Sequence, residues 1–245
     1  MKLNKNIDNY AMDLRREWGI DFYSPIDIVS LVLEKMDKLT IIWMEIDDEV
    51  SGCCSKDENG NSIILINSSQ SKGRQNFTLA HELYHILYGE SSQFFCCNSL
   101  NNDIEKEADK FASSLLLPQY ALREYKKQHN IKEWSIKDII KCEQFFQISH
   151  KNMLYRLKME NWISSEDFER FKFGVKKEAT KLGFSIDLYE PSKENRKFYT
   201  LGYLIPFVDK IYTNDKISKG LKNEILIKSF RSDIAYGIKD DPFFD

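Results

Sequence analysis

Phe77-Thr78-Leu79-Ala80-His81-Glu82-Leu83-Tyr84-His85-Ile86-Leu87-Tyr88 constrains this chain more than any other stretch. It reads as one apolar helix ending at Gly89, yet it carries two histidines and a glutamate. At about 3.6 residues per turn, His81 and His85 lie one turn apart on the same face, so their imidazoles can share one tetrahedral metal ion. Glu82 is turned too far to be a ligand but sits near enough to reach a metal-bound water. The other side chains are apolar on nearly every face, which predicts a buried helix. Burial makes those three polar groups costly unless something satisfies them, and zinc does so. Two core histidines beside a chance glutamate would be a coincidence in a chain with only 4 His.

A chain of 245 residues suits one large domain or two small ones, with ample core. The formal net charge of -3 and pI of about 5.9 argue against a surface that coats nucleic acid. Cys53, Cys54, Cys96, Cys97 and Cys142 form two adjacent pairs and a singleton, a poor disulfide framework that reads as reduced thiols in a cytosol. The first residues lead into a charged helix with no signal peptide visible, and no uncharged run approaches a membrane span. A soluble cytoplasmic protein is expected.

Taken in order, residues 7–18 predict a helix, and Ser24-Pro25-Ile26-Asp27 predicts the start of a second that runs to about Met36. Strands are expected at Leu39–Met44, Val50–Ser55 and Ser62–Asn67, the last two joined as a hairpin through Asp57-Glu58-Asn59-Gly60-Asn61. Such strands before a metal helix build a cleft, and an extended peptide can add to an exposed sheet edge beside the metal. Ile104, Ala108, Phe111, Ala112 and Leu115 give the next helix its apolar stripe, with Pro118 as its stop. Further helices are predicted over 135–145, 149–160 and 165–182, with a short strand at Phe184–Leu188. Helices over Phe198–Tyr212 and Ser218–Ser232 follow, then a loose acidic, aromatic tail from Asp240 to Asp245. The expected division is 1–125, 126–182 (a helical, helix-turn-helix-like segment) and a mainly helical 183–245.

Catalytic zinc commonly takes three protein ligands and leaves a fourth position for water. His129 and His150 are candidates for the third ligand but fall in polar or later helical regions. Glu105 and Asp109 are better placed, because their i, i+4 spacing points both the same way on the flank of the apolar stripe. Glu107, about 200° from Glu105, should face solvent. The ligand set is therefore read as His81, His85 and Glu105. Asp109 would accept a hydrogen bond from a ligand imidazole and fix its tautomer. An isolated Glu105 would be an ordinary solvated charge; its pairing with Asp109, twenty positions after His85, favours the ligand.

Arg74 through His85, followed by Glu105-Lys106-Glu107-Ala108-Asp109-Lys110-Phe111-Ala112 and Leu115-Leu116-Leu117-Pro118, resembles the ImmA/IrrE family of metallopeptidases. Ser51-Gly52, Ile64–Asn67, Phe146–Ser149 and Arg156-Leu157 extend the likeness over roughly residues 1–165. Tyr84 and Tyr88 depart from residues common in the family and are expected to pack without disturbing the metal. The resemblance implies an α+β, zincin-like core, with a small antiparallel sheet on the metal helix and a mainly helical C-terminal region. It also implies a zinc endopeptidase whose substrate is a helix-turn-helix repressor of a prophage, mobile element or stress response.

In that reading Glu82 is the general base, and it passes its proton on to the leaving amine. The oxyanion donor stays open among His129, His150, Tyr120 and Tyr84. Arg74 is expected to play a structural role, such as a salt bridge to a carboxylate, rather than a catalytic one. Cys96-Cys97 reads either as a redox-sensitive latch near the metal or, more ordinarily, as small buried residues. Between 135 and 160 the excess of positive charge is only two, thin for binding phosphates, so a protein-docking platform is expected and no direct nucleic-acid contact. The competing readings are a non-proteolytic module that sequesters a regulator and a toxin–antitoxin pairing. The intact Glu82 speaks against the first.

Overall fold

The computed structural model describes residues 7–89, 94–96 and 102–237. Helices α1 (Ile7–Glu17) and α2 (Ile28–Lys35) lead into strands β1 (Leu39–Met44), β2 (Gly52–Lys56) and β3 (Ser62–Asn67). The histidine-bearing helix follows as α3 (Lys72–Tyr88), then β4 (Phe94–Cys96) and α4 (Asn102–Leu116). Next come α5 (Gln119–Gln128), α6 (Ile136–Phe146), α7 (His150–Met159), α8 (Ser165–Phe171) and α9 (Val175–Lys181). The described chain closes with β5 (Tyr199–Gly202), α10 (Leu204–Thr213), α11 (Lys219–Lys228) and α12 (Ser232–Ala235).

The fold class is the expected α+β, with a sheet ordered β4-β2-β3-β1-β5. The sheet is mixed rather than wholly antiparallel, because β1 and β3 run parallel. Ser62-Ile63-Ile64-Leu65-Ile66-Asn67, with a run of four apolar residues, takes the centre of the sheet. Its hairpin with β2 fixes its direction, and that direction leaves it parallel to β1. Ile64, Ile66 and Ile41 are essentially fully buried on the face that receives the helices.

Helix α3 is buried without a break from Phe77 through Ile86, as its all-round apolar character requires. Close approach at two points seats it. A Cβ on Gly52 would come within 2.5 Å of Thr78 Cγ2 and 2.7 Å of the Leu65 carbonyl, so only glycine lets β2 pass under α3. One on Gly73 would meet the Ser149 backbone at 2.8 Å, where α3 begins against the α6–α7 turn. Helix α4 lies along α3 with Ala108, Phe111, Ala112 and Leu115 buried, the stripe read from sequence. Arg15 of α1, also fully buried, donates to the Leu115 carbonyl at 2.7 Å and so satisfies one of the open carbonyls at the end of α4.

Several elements depart from the sequence expectation. Asp27, not Ser24, caps α2, because Asp21 already holds the Ser24 backbone and hydroxyl in a preceding turn. Pro118 stops α4 and at once serves as the N-cap position of α5, a helix the sequence reading passed over. The helix expected over 165–182 is two, broken at Gly174, whose φ of 81° no continuing helix allows. Phe184–Leu188 forms no strand; a 3-10 turn covers Asp187–Tyr189. The start of the helix expected at Phe198 is instead β5, which pairs with β1. The tail from Asp240 lies outside the described residues.

Candidate metal centre

His81 and His85 stand one turn apart on α3, and Glu105 rises from the first turn of α4 to meet them. His81 Nε2 is 3.1 Å from Glu105 Oε2 and 3.2 Å from His85 Nε2. His85 Nε2 is 3.4 Å from Glu105 Oε1. One ligand atom from each residue falls within 4.8 Å of the others, a group that could hold a metal ion. Asp109, one turn beyond Glu105, accepts a hydrogen bond from His81 Nδ1 at 2.9 Å. A proton on Nδ1 leaves the His81 Nε2 lone pair aimed into the group.

The chemistry of these donors suits a cation. With His81 Nδ1 protonated, its Nε2 is an acceptor facing a carboxylate oxygen and a second imidazole nitrogen. Too few protons are available to make each of those short approaches a hydrogen bond, whereas a divalent ion satisfies all three lone pairs at once. His85 is prepared for that role. Burial, and then the neighbouring His81, hold its pKa down to about 4 against the opposing Glu105 and Asp109, so the ring is neutral and can offer a lone pair.

The group opens onto a cleft of about 210 Å³ lined by Glu49, Ser51, Arg74, Phe77, Thr78, His81, Glu105 and Asp109. Its lip is the segment before β2, and Asn67 holds that segment in place. The Asn67 amide, wholly buried, donates to the carbonyls of Ile46, Asp47 and Val50 at 3.2, 3.1 and 2.8 Å. Glu82 is also fully buried, and its Oε1 lies 3.5 Å from the position a Gly52 side chain would take. Glu49 and the lip geometry carried no signal in sequence. Ser51-Gly52 did, through the family likeness.

The other sequence candidates fall elsewhere. His129 follows α5 with its ring on Tyr125, 4.2 Å between centroids. His150 is bound to Glu143 and to the Phe171 carbonyl. Tyr120 is exposed at the start of α5. None of the three lines the cleft. Tyr84 packs on Tyr88 and Phe111, and its hydroxyl donates to Glu107 at 2.7 Å, so that exposed carboxylate has a partner as well as solvent. Arg74, expected to be structural, donates to Ser51 Oγ at 3.1 Å and lies over the Phe77 ring. Cys53, Cys54 and Cys142 are buried. The Cys96 backbone belongs to β4, opposite Cys53, and Cys97 lies outside the described residues.

Among the described residues no helix is long and apolar enough to cross a membrane. Residues 44–158 match the model of the M78 peptidase family, described as an IrrE N-terminal-like domain, and that span holds every residue of the metal group and its cleft. No curated protein matches the chain. A solved Mycobacterium tuberculosis transcriptional regulator aligns with a TM-score of 0.41 at 15% identity, over 62% of this chain and 46% of that one. The chain thus spans less than half the length of that regulator.

Proposed function

We propose that the chain belongs to the ImmA/IrrE family of metallopeptidases, whose model its residues 44–158 match, and that it is a zinc-dependent endopeptidase whose substrate is a helix-turn-helix transcriptional repressor. The observation that carries this reading is the convergence of His81, His85 and Glu105, with Asp109 behind His81 and Glu82 next to it on the same helix. His81, His85 and Glu105 would hold the zinc. Bound there, it supplies an acidified water and a Lewis acid for the scissile carbonyl.

The chain's own residues do the rest. Asp109 fixes the His81 tautomer and ring orientation. Glu82, on the side of α3 that meets Gly52 and shut away from bulk water, takes the proton of the attacking water and delivers it to the leaving amine. Substrate backbone lies along the Glu49–Ser51 lip, because β4 already occupies the β2 edge at Cys53–Ser55. A cleft of about 210 Å³ admits little more than the reacting segment, which favours narrow specificity.

The test is incubation of the purified protein with the repressor encoded beside its gene, comparing wild type with Glu82→Gln. Cleavage by wild type alone supports the proposal. Loss of repressor function with both proteins and no cleavage would establish sequestration instead.

A further inference from the structure

A second, larger cavity lies on the opposite flank of α3 and plays no part in the peptidase reading. It holds about 710 Å³, within the range of small-molecule sites. Its floor is a cross-strand row: Ile66 of β3, Trp43 of β1 and Tyr199 of β5 stand in register, and Leu201 follows in the adjoining row. Val29 of α2 and Ile186 complete an apolar enclosure, and the first turn of α3 closes one side through Lys72, Gln75 and Asn76. The connector from 186 to 197 forms the remaining wall, tied to the start of α3 where Lys72 N–H donates to the Glu190 carbonyl at 2.9 Å and Ser192 N–H to the Ser68 carbonyl at 3.0 Å. Ile186, at the mouth, is 36% exposed.

Charge at that mouth is not balanced. Lys193 faces Asp187, Glu190 faces Lys176, and Lys197 is held by Glu45 and Glu194. Inside, Gln75 is satisfied by the Ser68 and Gln70 carbonyls and by the Ser192 hydroxyl. Lys72 and Arg196 make no ion pair among the described residues, and both line the cavity. Arg196 lies over the Tyr199 ring, 4.1 Å from its centroid, where a guanidinium keeps N–H donors that a carboxylate or phosphate can take.

We propose that this cavity is a binding site for a small amphipathic anion, an apolar body seated on Trp43, Ile66 and Leu201 with a carboxylate or phosphate held by Arg196 and Lys72. The apolar floor supplies most of the contact area, and the two cations set orientation and discriminate against neutral analogues. The occupant also touches the helix that carries His81 and His85.

Titration of the full chain with decanoate, decyl phosphate and decanol, followed by tryptophan fluorescence and calorimetry, tests the site. Decanoate or decyl phosphate should bind one per chain, the stronger of the two identifying the head group, and Trp43→Phe should remove the fluorescence response while calorimetric binding persists. Arg196→Ala with Lys72→Ala should weaken the anion roughly tenfold or more and leave decanol unchanged. Both positions are solvent-facing, so the fold should tolerate them. Equal binding of decanol and decanoate, indifference to the double variant, or no saturable binding would overturn the proposal. So would displacement of the probe by a synthetic peptide of residues 238–245, whose acidic, aromatic sequence would then be the better occupant.

Discussion

His81–His85–Glu105 and Glu143–His150–Tyr189 are built from similar groups at similar depth, and they resolve their polarity in opposite ways. In the second cluster every donor has its own acceptor. His150 Nδ1 donates to Glu143 Oε1 at 2.6 Å, its Nε2 donates to the Phe171 carbonyl at 2.8 Å, and Tyr189 donates to Glu143 Oε2 at 2.9 Å. That arrangement is complete as an imidazolium and a carboxylate. In the first cluster lone pairs converge and want a positive centre between them. Residue type and burial alone therefore do not mark a metal site. The balance of donors and acceptors does.

Metal content is the sharpest way to break the comparison. Wild-type protein dialysed against zinc should retain about one ion per chain by elemental analysis, and His81→Ala or Glu105→Ala should retain almost none. Both Glu143→Gln and His150→Gln should keep the metal. If Glu105→Ala kept zinc while Glu107→Ala lost it, the assignment of the third ligand would fall.

Stability should divide the clusters the other way. Glu143 is wholly buried and ties α6 to α7 and to the 3-10 turn at Tyr189. Replacing it with alanine leaves His150 without its counter-charge, at a cost of about 3–5 kcal/mol in urea unfolding. Asp109→Asn should be milder, because Asp109 is largely exposed. Losing the His81 tautomer lock should lower zinc affinity about 10- to 100-fold, read by competition with a chelator, and change metal-free stability little. An effect of Asp109→Asn on the metal-free fold as large as that of Glu143→Ala would erase the distinction.

The metal group was legible because its signals are local. His81 with His85, and Glu105 with Asp109, are pairs at i, i+4, and helical periodicity alone places each pair on one face. The meeting of the two helices was inferred from the Glu105–Asp109 pairing twenty positions after His85, and the family likeness agreed with it. The Glu143 network was invisible for the converse reason: its members lie on three elements and come together only through tertiary packing, so His150 could be read only as a stray candidate ligand. Strand β5 was missed on the same grounds. Tyr199-Thr200-Leu201-Gly202 is too short to show alternation, and its strand character comes from β1, more than 150 positions earlier. Gly174, by contrast, was a local signal inside the 165–182 pattern, and its left-handed conformation was available to be read.

The smallest effect is the most specific to the completed cluster. Burial works against a charged His150, but its hydrogen bond to Glu143, the charge of that carboxylate and the Phe171 carbonyl outweigh it and raise its pKa above the ordinary 6.5. Burial raises Glu143 as well, against the pull of His150 and Tyr189. A group whose folded value is raised stabilises the fold fully below its unfolded pKa and loses that contribution as pH rises through the folded value. Both groups act in that sense. Wild type should therefore hold its largest advantage over the double variant Glu143→Gln/His150→Gln in mildly acidic solution and lose it on the alkaline side of 6.5, at no more than about 1.4 kcal/mol per pH unit per proton. Urea midpoints of metal-free protein across that range measure the slope. An advantage that grew with pH would mean that His150 is neutral in the fold, and the contrast between a complete cluster and one that wants a cation would have to be abandoned.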